Sequence, residues 1–363
     1  MNLRHLVFVG GLAVVLSLAQ GRAAAQAQPA NAKAKSPSKT WTLPRTIDGQ
    51  PDLQGVWANN NATPLERLKQ LEGRATLTDA EVTAMRKKAA ELYDGSGDTE
   101  FGDTYFETVW IAISNGEEGV HKKGRNGQDA VNGFDAGTGD YNSAWLAGRD
   151  WDNRTSLITD PPDGRMPPMT PEAKARQAAS FAAYNHPPAG PEDRGLSERC
   201  ITFGAPDLLA GYNSYYEIVQ SANSVAIMKE KIHDVRVIPL DGSPHLPSNI
   251  QTWNGDARGH WEGDTLVVDS TNYKPGIFMN SSSEKLHVIE RFSRTGPDTV
   301  QYQITIDDPA TWTKPWSLMI PLRHTPDAIY EYACHEGNYA MIDMLAGARV
   351  EEKTAESEKR APR

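Results

Sequence analysis

The chain has 363 residues, a formal net charge of −10 and 39% hydrophobic residues, enough for one large domain or one domain with a helical appendage. An acidic chain without a basic run excludes nucleic acid and anionic membrane surfaces as natural partners, and leaves a small-molecule ligand as the expected one. Its two cysteines, Cys200 and Cys334, predict one disulfide in an oxidising compartment; the alternative is two buried thiols.

The chain opens with MNLRHLVFVGGLAVVLSLAQGRAAAQAQ. Arg4 and His5 form a basic start. The apolar run 6–18 is too short to span a bilayer comfortably, and Ala23, Ala24 and Ala25 are small enough for a signal peptidase. Residues 1–25 therefore read as a signal peptide, with an uncleaved anchor as the alternative. Residues 26–40, rich in Ala, Pro, Lys and Ser, read as a disordered spacer. Removing 1–25 takes away Arg4 and Arg22 and no acid, so the mature chain is more acidic by two charges. No second segment approaches membrane-spanning length. The expected location is periplasmic or secreted, with no integral membrane segment after cleavage.

Residues 41–200 read as an extended and helical region packed on the domain that follows. Asp48-Gly49 marks a turn, and 53–57 a short strand. Gly55, two positions before Trp57, suggests a close backbone approach over a large ring. The G-x-W pattern occurs in lipocalin-like barrels. Residues 78–93 are a helix: Thr78 and Glu81 form a capping-box pattern, and Val82, Met85, Ala89 and Leu92 recur at helical spacing. The stretch 102–151 is rich in Gly, Asn and Asp and reads as a long surface excursion with a short helix near 104–113. A short strand at 156–159 precedes Pro161, Pro162, Pro167 and Pro168, which hold the chain extended. Thr170-Pro171-Glu172 then opens a helix that runs to about Tyr184.

From Tyr215 the pattern is β. Candidate strands are 217–220, 225–228, 231–238, 264–270, 286–293, 300–306, 316–322 and 329–334. Val300, Tyr302, Ile304 and Ile306 share one face; so do Trp316, Leu318, Ile320 and Leu322. The expected fold is mainly β: an antiparallel meander closed into a lipocalin-like barrel or a strongly curved sheet over 201–350, with an N-terminal helical and loop-rich region. The charged tail 351–363 is expected to fray.

The segments NRTSLITDPPDGRMPPMTPE, ERC, IHDVRVIPLDGSPHLP, GDARGHWEGDTLVVDSTNY, ERF, DDPATWTKPW and YEYACHEGNY keep their order along the chain. In these the chain resembles a widespread family of uncharacterised secreted bacterial proteins, over roughly residues 41–353. The resemblance implies export and a common β-rich fold, and assigns no activity to any residue. The stretch 107–138 is longer than the family pattern.

His233, His260, His287 and His335 lie in or near predicted strands, and His245 follows a turn. HxH, HExxH and CxxC patterns are absent from the sequence, so metal: none is the reading, and no cofactor is predicted. Separated histidines can still meet across neighbouring strands, which keeps a divalent metal as an alternative. Glu290 alternates with Leu286, Val288 and Phe292, so it should face the apolar interior and need a partner. Arg236 and His233 are the candidates, but they sit on opposite faces of one strand, so at most one can serve. The candidate catalytic group is Glu290, His233 and Arg236, with His260 at the rim. Arg258 to Glu262 reads as a polar loop with an aromatic platform; Trp253, Arg258, Trp261 and Trp312 are the candidate ligand-binding residues, with ordinary packing as the alternative. Asp160 to Arg165 reads as a brace built of turn residues. The leading functional expectation is an exported small-molecule-binding barrel acting as a cofactor-free lyase, isomerase or hydrolase. The alternatives are a metal-dependent hydrolase using clustered histidines and a non-catalytic envelope or binding protein.

Overall fold

The computed structural model describes residues 41–93, 102–115, 148–208 and 210–360. The leader, the spacer, residues 116–138 of the long excursion, Tyr141 and Trp145 lie outside the described residues. The described residues belong to one compact unit.

Ten strands of the described residues form one antiparallel sheet: β1 (Gly55–Ala58), β2 (Ile158–Asp160), β3 (Tyr215–Gln220), β4 (Ser224–Lys229), β5 (Asp234–Pro239), β6 (Asp256–Glu262), β7 (Thr265–Thr271), β8 (His287–Gly296), β9 (Thr299–Asp307) and β10 (Trp316–Thr325). Their order is β5-β4-β3-β1-β10-β9-β8-β7-β6, and β2 also pairs with β10. The alternation read from the sequence sets which side chains point inward. Val288, Glu290 and Phe292 of β8, the four alternating residues of β9 and the four of β10 are all buried. Register follows from this pattern, because a slip of one residue would carry the whole set to solvent.

The mainly β, antiparallel expectation holds, but the sheet is open. The terminal strands β5 and β6 share no ladder. They approach through side chains: a Cβ on Gly259 would lie 2.8 Å from Ile238 Cγ2 and 2.7 Å from Leu240 Cδ2. Glycine alone admits that approach. Side chains thus fill the seam where a barrel would have backbone hydrogen bonds, and Pro239 removes one donor from the β5 edge.

Four other expectations change. The polar loop at 258–262 is strand β6. Its alternation was hidden because the inward residues beside Trp261 are only Ala257 and Gly259, while Arg258, His260 and Glu262 point outward. The strand expected over 231–238 starts later, because Ile232 and His233 take left-handed backbone angles, φ 61° and 51°. Residues 329–334 form no strand: Tyr330 O and Tyr332 N–H meet the His233 ring and not a strand backbone. Residues 351–360 continue helix α4 (Tyr339–Arg360). Their Ala, Glu, Lys and Arg side chains propagate a turn already formed at 339–350, and Arg349 pairs with Glu352 at 2.6 Å.

Helices α1 (Asp79–Leu92) and α2 (Gly102–Asn115) build a second core with Leu71, Met85, Phe106 and Val109. The capping box at Thr78 and Glu81 is formed. Helix α3 (Pro171–Tyr184) has Thr170 as its N-cap, accepting from Ala173 N–H. Trp57 is fully buried; its Nε1 donates to Leu53 O at 2.7 Å, and the Arg294 guanidinium lies 5.3 Å from its ring centre. The ring that crowds Gly55 (φ 121°) is His324 of β10. In the turn after β2, Arg67 donates to Pro162 O and Asp163 O and clasps the brace. Cys200 and Cys334 form the disulfide, with Cα atoms 5.7 Å apart. Among the described residues, no helix is long and apolar enough to cross a membrane.

Candidate functional site

Inside the curled sheet, Arg236 of β5 reaches Glu290 of β8. The guanidinium donates through Nη1 and Nη2 to both carboxylate oxygens, at 2.6 and 2.8 Å, and Tyr302 of β9 donates its hydroxyl to the same carboxylate. Glu290 is 0% exposed and Arg236 9%. Burial alone would lower the Arg236 pKa, but the Glu290 charge overturns that and raises it, so the guanidinium stays charged. Tyr302 and Tyr216 are pushed well above the ordinary phenol range, first by burial and then by neighbouring carboxylate charge. Tyr302 stacks on Phe292 with ring centres 4.4 Å apart. The accompanying cavity is about 10 Å³, room for one water at most.

Sequence reasoning brought Arg236 and Glu290 together and missed the cations beside them. Lys231 is fully buried and donates to Asp207 at 2.8 Å. Lys229 donates to Gly204 O. Burial pushes Lys229 below the ordinary lysine range, against the pull of Asp207 and Asp234. The strand expected at 225–228 stopped one residue short; the observed strand ends at Lys229, whose place in the inward alternation of 225, 227 and 229 was the available signal.

His233 does not join the interior group. The left-handed turn at 232–233 swings it to the outside, where its Nε2 contacts Tyr330 O at 3.0 Å. There it lines an open cleft of about 410 Å³. The walls are 200–201, 232–235 and 331–336, so the disulfide, the start of β5 and the segment after β10 meet in it. Three non-glycine residues with positive φ face this cleft: Cys200 (55°), Ile232 and His233. For a β-branched residue such as Ile232 that conformation is costly, on the order of 1–3 kcal/mol, and it persists only where surrounding contacts impose it.

The other predicted residues are dispersed. His260 is exposed on the outer face of β6, 3.2 Å from Glu262. Trp253 lies under the Lys274 ammonium at 4.2 Å. Trp261 packs partly buried against the main core, and Trp312 is core, 5.7 Å from the Trp316 ring. Arg258 donates to Asp256 at 2.7 Å. None of these four ligand-binding candidates lines either cavity.

A chain of charges not foreseen as a unit runs over the outer face. Asp269 of β7 contacts both His287 of β8 (2.8 Å) and His245 (3.3 Å), and His245 contacts buried Asp256 through its other nitrogen at 3.0 Å. Asp256 also accepts from Leu246 N–H at 2.8 Å. The group fastens the loop between β5 and β6 to the sheet. Each residue was visible in the sequence; the register that joins them was not. Among the described residues, no group of three or more His, Cys, Asp or Glu side chains is arranged to hold a metal ion.

Compared with protein-family models, curated proteins and solved structures, the chain shows no significant match.

Proposed function

We propose that the chain is an exported, non-catalytic binding protein whose small-molecule site is the cleft beside the Cys200–Cys334 disulfide. The single observation that carries this is the cleft: about 410 Å³, within the usual size range of ligand sites, with all three of its left-handed non-glycine residues pressed into its wall. The interior group supports binding rather than acid–base chemistry. The Glu290 carboxylate is bonded through both oxygens to the Arg236 guanidinium, and the cavity of about 10 Å³ beside it has no room for a substrate. The disulfide and the leader-like start support export, and the family resemblance points the same way.

A thermal-shift screen of small polar compounds tests the reading. A ligand that prefers the folded state raises the midpoint by mass action. Ala333 is an exposed wall residue, so Ala333→Trp should fill the cleft without disturbing the core. Hits on the native chain should be lost in Ala333→Trp. Hits that survive it would place the site elsewhere.

A further inference from the structure

The charge around the cleft says more about its occupant. The wall carries three carboxylates, Asp234, Glu331 and Glu336, two imidazoles, His233 and His335, and no Lys or Arg. Glu331 and Glu336 are exposed and free to turn toward a ligand. Asp234 is fixed: Asn254 Nδ2 donates to its two oxygens at 2.9 and 2.8 Å, and Thr202 donates as well. Two residues before the wall segment 232–235 is Glu230, 4% exposed, with one carboxylate oxygen that has no hydrogen-bond partner among the described residues. Its other contacts are Tyr330 N–H and Asn213, next to His233. Of the buried lysines on either side of Glu230 in sequence, Lys231 is matched by Asp207 and Lys229 lies 3.8 Å from Asp234, which leaves Glu331 and Glu336 as the wall carboxylates without a cation partner among the described residues. Tyr332, in the wall and half-buried, adds an aromatic surface.

We infer that the cleft binds a small organic ammonium ion; this rests on the cleft being the binding site. A walled depression of one charge sign concentrates counter-ions. Among the described residues these side chains form no group arranged to hold a metal ion, so they suit a diffuse organic cation with apolar substituents. An aromatic face adds cation–π attraction for such an ion.

The test uses the full chain and three molecules of nearly one shape: choline, its uncharged analogue 3,3-dimethylbutan-1-ol, and 3,3-dimethylbutanoate. Binding is measured by calorimetry at low salt. Choline should bind, and the other two should bind at least tenfold more weakly. The double variant Glu331→Gln/Glu336→Gln changes only exposed side chains and should weaken choline about tenfold, and Ala333→Trp should abolish binding. Choline binding that ignores the double variant would overturn the inference. If the alcohol or the carboxylate binds the native chain but not Ala333→Trp, and choline does not bind, the cation assignment falls while the cleft stands as the site. If choline binds native chain and Ala333→Trp equally, or none of the three binds at all, the cation assignment falls, and equal binding removes the cleft as well.

Discussion

Glu290→Gln separates a structural interior from a chemical one. In the native chain the carboxylate is 0% exposed and accepts two bonds from Arg236 and one from Tyr302. Glutamine keeps the shape but loses the charge, and whichever way its amide turns, the nitrogen faces a guanidinium N–H, donor against donor. Arg236 stays buried and charged without a counter-ion. Removing one partner of such a pair costs about 3–5 kcal/mol. For a unit of this size that corresponds to a midpoint lower by on the order of 10 °C. Guanidinium unfolding should show a lower midpoint with an unchanged slope. Replacing both partners, Arg236→Met with Glu290→Leu, leaves no unpaired charge and should recover most of the loss. A single variant within about 0.5 kcal/mol of native stability, or a double variant no better than the single, would refute the assignment.

Other perturbations read other parts of the fold. The disulfide spans 134 residues; chain-entropy accounting gives about 5 kcal/mol for closing so long a loop. Cys200→Ser/Cys334→Ser should therefore unfold at clearly lower denaturant, and non-reducing thiol labelling of the denatured native chain should find no free thiol. Burial pushes Asp103 up to about 6, against hydrogen bonds from the Leu65 and Glu66 backbones. Its unfolded value is about 3.9, so the folded state holds the extra proton between the two. Stability from this group is therefore full below about pH 4 and falls as pH rises through 6. Asp103→Asn should gain relative to the native chain between pH 4 and 7; a constant difference would contradict the shift. Residues 351–360 are exposed throughout. Truncation after Val350 should lower helical circular dichroism while moving stability by less than about 0.5 kcal/mol.

The strands with the clearest alternation, β8, β9 and β10, were legible because period two and burial coincide there. Glu290 stood out for the same reason, a carboxylate in an apolar column, and parity alone limited its partner to Arg236 or His233. The choice between them was not legible, since it turns on left-handed angles at Ile232 and His233 that no residue type there announces. Strand β6 escaped notice because Ala257 and Gly259 are weak apolar signals, and Gly259 is small for a reason outside its own strand, the approach of Ile238 and Leu240. The cleft joins residues near 200, 233 and 334, so only the chain path assembles it. The cysteine pair was its one trace in the sequence.

The central claim is that ligand binds in the outer cleft and the interior pair serves the fold. Hydrogen exchange with and without a ligand found in the screen tests it most directly. Amides at 200–203, 232–236 and 330–336 should show the largest added protection. Protection centred instead on β8 and β9, around Glu290 and Tyr302, would contradict it and return the chemistry to the interior.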